Sequence, residues 1–344
     1  MTRYLFLMAL MAGLLAPALA PAQQDQVFDQ SDTPTRGTIT AVSPVRITLQ
    51  ATAAALEFDT REVQRVVFAE EPNELSTGRD RALAGQYSDA LEELRRIDPA
   101  SIDNDVIRQE VSYYTAYALT RLALEAGGDR EEAHTALLNF VRQNPNTYHF
   151  FPAAELLGDL SYAMGDFEGA GRYYTALSRA PWPEYKMKAT VLQARAQLAA
   201  EQYSEALTRF EQVLNSGLNT AEALEQKQHA TVGKAVCLAA TGRAEEGIEM
   251  LQELIAKGDP NDAQLMALAY NALGACHARA GETKKALLAY LHTDILYFSN
   301  SAAHAEALYH LSRLWAEVDQ SDRAVRARSL LQSRYAGSRW ASML

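Results

Sequence analysis

At 344 residues, with 48% hydrophobic and 22% charged residues, the chain suits one extended repeat array or two ordinary domains, and is too apolar to be disordered. Its formal charge of −11 repels phosphate backbones and argues against a nucleic-acid partner. The charges are scattered along the chain rather than gathered in a tail, as expected of solvated helix faces.

Residues 1–22 read as a secretory signal: Arg3, an apolar run from Leu5 to Leu15, Pro17, then the small residues Ala20-Pro21-Ala22. Cleavage is expected between Ala22 and Gln23, leaving a chain of net charge −12 for the periplasm or another exported space. A spanning helix needs about 20 apolar residues, and the prolines come too early for one. No second run of that length follows, so no integral span is expected once the signal is removed.

Residues 23–35 are polar and turn-rich and are expected to form a flexible linker. From Arg36 the hydrophobic period becomes two. Ile39 and Ala41 alternate with Thr38 and Thr40, and Val45, Ile47 and Leu49 with Arg46 and Thr48. Leu56-Glu57-Phe58 and Val63 to Phe68 predict two further strands. Residues 36–70 are thus a small β-unit, whose strand spacing resembles small barrels of the Sm or SH3 kind. So short a unit has to pack on the first helices. Asn73 with Glu74 predicts a capped helix start.

From residue 72 to 340 one pattern returns: a glycine or turn residue, often an aromatic two positions on, and a small residue five positions on. Gly85-Tyr87-Ala90 and Gly165-Phe167-Ala170 are full copies; the other anchors are Ala133, Ala206, Gly247, Ala286 and Ala324. Twelve positions before the anchor lies a second small residue: Gly78, Gly158, Ala194, Ala235, Gly274 and Ser312. Repeat two has Arg121 there, and the doubled Gly127-Gly128 points to a register shift of one residue. Apolar residues recur every three or four positions between anchors, the helical period, and breakers such as Pro181-Trp182-Pro183 separate the pairs. The predicted fold is mainly α: a solenoid of about seven helix–turn–helix repeats behind a small β-unit.

The pattern resembles the tetratricopeptide repeat (TPR) family, best in Ala154 to Gly158 with Gly165 to Ala170, and next in Leu311-Ser312 with Trp315 and Ala324. Repeats here run longer than the family's roughly 34 residues. In that respect the chain is similar to exported bacterial relatives that serve outer-membrane assembly and the Tol–Pal system. The resemblance implies partner binding on a concave surface lined by particular first-helix positions. Carried over residue by residue, these are Arg79; Glu155, Asp159 and Tyr162; Lys188 and Arg195; Asn271; and Glu306, Tyr309 and Arg313. Repeat five offers Val232 and Val236, unlike the polar clamp with which some relatives hold a terminal carboxylate.

Signals for chemistry are lacking. The histidines do not fall at metal-ligand spacings, and no Walker, G-x-S-x-G or dinucleotide fingerprint occurs. No catalytic, cofactor-binding or metal site is expected. Cys237 and Cys276 occupy equivalent places on neighbouring repeats. Packed helix axes lie about 8–10 Å apart against the roughly 7 Å limit of a disulfide, which favours two separate buried thiols. Tyr113, Tyr114, Tyr117, Tyr148, Phe150 and Phe151 are read first as core filling, and second as a partner-binding patch. The expected function is a non-enzymatic, exported scaffold that holds proteins along its concave side. The alternative is a cell-envelope assembly factor that contacts envelope machinery or polymer through the β-unit.

Overall fold

A computed structural model describes residues 24–31 and 33–344, so the expected signal at 1–22 lies outside the described residues. Five strands come first: β1 (Asp25–Phe28), β2 (Thr35–Val42), β3 (Arg46–Gln50), β4 (Ala55–Asp59) and β5 (Arg65–Val67). They form one antiparallel sheet in the order β4-β3-β2-β1-β5. The expected linker is therefore corrected: part of it is β1, paired on both sides, with β2 and with β5. Its pattern is masked because only Val27 points into the core; the rest of its hold is backbone pairing and one carboxylate. Asp25 accepts the backbone N–H of Ile39 at 2.7 Å and that of Ala69 at 2.9 Å, tying the strand to both flanking segments.

Helices fill the remainder. The first three pairs are α1 (Asn73–Leu83) with α2 (Tyr87–Leu94), α3 (Asp105–Glu125) with α4 (Arg130–Gln143), and α5 (Phe150–Ala163) with α6 (Phe167–Tyr174). The next two are α7 (Pro183–Ala199) with α8 (Tyr203–Leu214), and α9 (Ala221–Ala240) with α10 (Ala244–Lys257). The last two are α11 (Ala263–Arg279) with α12 (Thr283–Leu296), and α13 (Ser301–Glu317) with α14 (Ser321–Arg334); a short α15 (Arg339–Ser342) follows. The seven pairs stack as an α-solenoid. The expected asparagine cap of α1 fails, because the helix begins at Asn73 itself after Pro72, with no side-chain cap bond. Asn104, Asp129, Thr220, Asp262 and Asn300 do cap their helices by accepting first-turn N–H groups.

All seven anchors fall early on the second helix of their pair and are buried. The missing side chains of the first-helix glycines are filled from four residues past the anchor. A Cβ on Gly78 would meet Leu94 at 2.7 Å, one on Gly158 the Tyr174 ring at 2.2 Å, and one on Gly274 the Tyr290 ring at 2.6 Å. In the second pair Thr120 takes the fully buried small position, and Arg121 turns outward to pair with Glu125. Gly165 ends α5 at φ +83°, a left-handed conformation that glycine adopts freely; Glu201 and Asp319 occupy the equivalent turns at φ 61° and 60°.

The sheet shares its core with the first three pairs. Val27, Ile47, Leu49, Val66 and Phe68 join Leu75, Ile107, Leu137 and Leu157 in one cluster. It also reaches the start of the fourth pair, where Trp182 Nε1 donates to Asp59 at 2.9 Å and Arg61 lies 4.8 Å over the indole. Trp182 therefore packs against the β-unit as well as its own turn. Cys237 and Cys276 are separate buried thiols.

Candidate interaction surface

First helices of neighbouring pairs touch one another, α1 with α3, α3 with α5, α7 with α9, α9 with α11 and α11 with α13, with no comparable series between second helices. First helices therefore lie on the inside of the curve. Glu155, Asp159 and Tyr162 follow at helical spacing along α5, and Lys188 and Arg195 along α7. Lys188 Nζ lies 2.6 Å from Glu155 Oε1, which links the two helices. Asp159 accepts the Tyr174 hydroxyl at 2.8 Å. Burial, reinforced by the Glu155 charge, pushes the Asp159 carboxyl up to about 6, against the pull of Tyr174, Arg195 and Lys188.

Arg195 lies 5.7 Å from the centre of the Tyr162 ring, and no carboxylate among the described residues pairs with it. Burial opposes its charge, but Tyr162, Tyr174, Asp159 and Glu306 together hold its pKa above the usual arginine value. That field reaches α9, where burial, with Arg195 and Lys188 beside it, pushes His229 down to about 4. Near α13, burial with Arg313 and Arg339 pushes His310 down to about 4. Both imidazoles are neutral at pH 7, while the arginines around them stay charged. Arg313 is exposed and donates to the Tyr309 hydroxyl at 2.8 Å.

Seven of the ten expected residues thus stand exposed or half-buried on inner first helices: Glu155, Asp159, Tyr162, Lys188, Arg195, Glu306 and Arg313. Three require correction. Arg79 is fully buried and forms a bidentate ion pair with Glu71, one arm at 3.0 Å, so it is a core residue. Asn271 is 2% exposed and donates to the Ala303 carbonyl at 2.8 Å and to Glu306 at 3.3 Å; it fastens α11 to α13. Tyr309 is 6% exposed, with Trp340 5.2 Å away over it. A repeat position says which way a side chain points, but how deep it lies depends on what packs above it. For Arg79 that cover is the β-unit and its connection, and for Tyr309 it is α15.

The aromatic group of pairs two and three is core filling: Tyr113, Tyr114, Tyr148 and Phe151 are buried, and His149 stacks on Tyr113 at 3.6 Å with its Nε2 2.9 Å from Glu110. Among the described residues no cluster of three His, Cys, Asp or Glu side chains is placed to hold a metal, and no helix is long and apolar enough to cross a membrane.

Seven stacked helix pairs with small residues at the crossings match solved structures. The chain is similar to a tetratricopeptide repeat protein from Parabacteroides merdae at 15% identity, with a TM-score of 0.56 over 78% of this chain and 96% of that one. The fold is a tetratricopeptide-repeat array. Two further structures share it. One is a Rap protein complexed with Competence and Sporulation Factor, at 14% identity and TM-score 0.53, over 78% of this chain and 76% of that one. The other is the apo quorum sensor NprR from B. thuringiensis, at 11% identity and TM-score 0.51, over 75% and 85%. No protein-family model and no curated protein matches the sequence. The tetratricopeptide array therefore rests on the shape of its repeats and not on sequence identity. The sequence reading missed His229 and His310 on the inner first helices, and Phe167 and the Arg339-Trp340 pair, which pack beside that face from α6 and α15. Phe167 alone carried a signal, as the aromatic of the turn motif.

Proposed function

We propose that this chain is a non-enzymatic protein-interaction scaffold, exported by the signal at residues 1–22, which holds partner segments along the inner face from α5 to α13. The observation that carries the reading is the row of half-buried charged and aromatic side chains contributed by successive first helices, with Arg195 and Arg313 left free of carboxylate partners. Such a row gives a peptide spaced polar anchors on a rigid scaffold, the arrangement that favours selective binding over catalysis. The similarity to a Rap protein in complex with a factor fits this reading.

A photo-crosslinking residue at Tyr162 tests it, with one at exposed Thr208 on the second helix α8 as control. The scaffold reading expects a discrete adduct from Tyr162 that is lost with Arg195→Glu and Arg313→Glu. Equal adducts from both positions would remove the inner face from the proposal. Mass mapping of the cellular protein tests export, with the first residue expected at Gln23.

A second reading, as an envelope-assembly factor, has one observation in its favour. β4 lies at the end of the sheet with its outer edge unpaired among the described residues, and Leu56 on it is 39% exposed. Deleting the β-unit would break the core it shares with α1 and α3, so the suitable test is Leu56→Asp. Loss of envelope association with unchanged helicity supports this reading, and unchanged association removes it.

A further inference from the structure

The segment after α14 contacts the far side of the array. Tyr335 is buried and its hydroxyl lies 2.7 Å from His304 Nδ1, so the chain is fixed at that residue. Beyond it, a Cβ on Gly337 would stand 3.7 Å from the Cα of Gly127, in the turn of the second pair. The Arg339 guanidinium lies 5.3 Å from the Tyr162 ring and 5.6 Å from that of Phe167, both in the third pair. It also stacks 4.3 Å over Trp340, which meets Tyr309 at 5.2 Å and His310 at 5.5 Å in the seventh pair. Residues 337–340 therefore bridge pairs two and three to pair seven and close the inner face into a ring.

The bridge is lightly built. Every backbone hydrogen bond of residues 338–344 is local, and among the described residues Arg339 forms no ion pair. Residues 342–344 are exposed, and only 338–341 are half-buried. Trp340 and Ala341 pack on the apolar cluster of the last pair, whereas the hold on the third pair is a guanidinium over two aromatic rings, an attraction that competing cations can replace. The segment 335–344 carries one arginine and no acidic side chain, and on the inner face the charge of Arg339, like that of Arg195, favours the ionised form of Glu306.

We propose that residues 336–344 are an intramolecular ligand: Arg339 docks on the Tyr162–Phe167 surface and Trp340 on Tyr309, closing the array over the site where a partner segment presenting an arginine beside an aromatic residue would bind. Closure stands on the contacts alone; only the competition with a partner rests on the scaffold reading. Opening uncovers Tyr162, Phe167 and Tyr309 together, so partner binding and release of the segment are linked.

Nitroxide labels on cysteines placed at Ser342 and Glu168 report the closure by pulsed dipolar spectroscopy. Burial pushes the native Cys237 and Cys276 thiols up to about 12, which keeps them out of the labelling. We expect one narrow distance in the otherwise native chain, and a longer, broader distribution with Arg339→Ala. A distribution already broad in the native background, or one unchanged by Arg339→Ala, overturns the closure. In a second arm, a synthetic peptide of residues 335–344 is titrated onto the native chain and onto the Arg339→Ala/Trp340→Ala variant. Binding at least tenfold tighter to the variant, abolished by adding Tyr162→Ala, supports the shared site; equal binding, or none, overturns it. Failure to crosslink a partner at Tyr162 while the narrow distance persists counts against the scaffold reading and leaves the closure standing.

Discussion

The front of this molecule and its rear use the same repeat but are held together differently. From β1 to α5 a single core runs through the sheet and three helix pairs, and contains a buried ion pair, Arg79 with Glu71, and a buried hydrogen bond between His149 and Glu110. Behind α5 the core divides into separate clusters between neighbouring helices, such as that of Phe210 and Ala230, that of Leu251 and Cys276, and that of Tyr290, Leu308 and Leu331. A plain repeat array is stabilised by nearest neighbours, so its stability is close to a sum of local terms. The β-unit changes that at the front, because it touches helices from the first pair to the fourth. The rear joins distant pairs by surface contacts, Arg279 of the sixth pair on the Tyr203 hydroxyl of the fourth at 3.4 Å and the light bridge of residues 337–340, so the end that can open is the one away from the sheet.

The sharpest way to break this comparison is Glu71→Ala. Removing one member of a buried ion pair leaves Arg79 charged and uncompensated, with an expected cost of about 3–5 kcal/mol. Hydrogen exchange should rise from β5 through α3 while α9 to α14 keep their protection. Uniform loss across the whole chain would show that front and rear are one cooperative unit.

Asp159→Asn probes the inner face where the two regions meet. In the native state burial pushes the carboxyl up to about 6 from the ordinary 3.8 of an aspartate, so ionisation above pH 6 works against folding. The native state gains stability from this group as pH falls from about 6 to about 4. Asparagine keeps an acceptor for the Tyr174 hydroxyl without the charge. The variant should therefore be more stable at pH 7.5 by on the order of 2 kcal/mol, with the advantage gone at pH 4, as measured by urea unfolding. His229 works in the opposite sense. Its native pKa is depressed to about 4, so its contribution is full above pH 6.5 and is lost as pH falls toward 4.

Trp182→Phe tests the reach of the β-unit to the fourth pair. It removes the indole donor to Asp59 and should cost about 1 kcal/mol, with exchange rising in β4 and the start of α7. The smallest effect expected is a gain. Glu201 holds a left-handed turn that glycine occupies in most of the other pairs, so Glu201→Gly should raise stability by about 0.5–1 kcal/mol in thermal unfolding. A loss would show that Glu201 has a role beyond its turn.

Much of the array was legible because its signals are local. The crossing of two helices one turn apart needs a small residue at a fixed distance along the chain, so Ala90, Ala170 and Ala286 mark their pairs wherever those pairs sit. The light patterning of β1 hid it, since one inward side chain in four residues gives no period. The site was legible only in direction. Glu155, Lys188 and Arg195 do face inward, but the same rule selected Arg79 and Asn271, which the fold buries. Arg339 and Trp340 could not be found in this way, because they follow the last repeat and act on a helix far back in the sequence.

By itself the sequence determined the helical period, the turns and the small residues at the crossings, and with them the stacking of seven pairs, since each depends on residues within one or two turns of each other. Only the tertiary structure decided which inward residues stay open, that Glu71 is the partner of Arg79, and that residues 337–340 bridge the array. The first two depend on what packs over the first pair and the last, the β-unit with its connection and α15; the bridge depends on the curvature summed over the pairs, which brings Arg339 to Tyr162 and which no local spacing records.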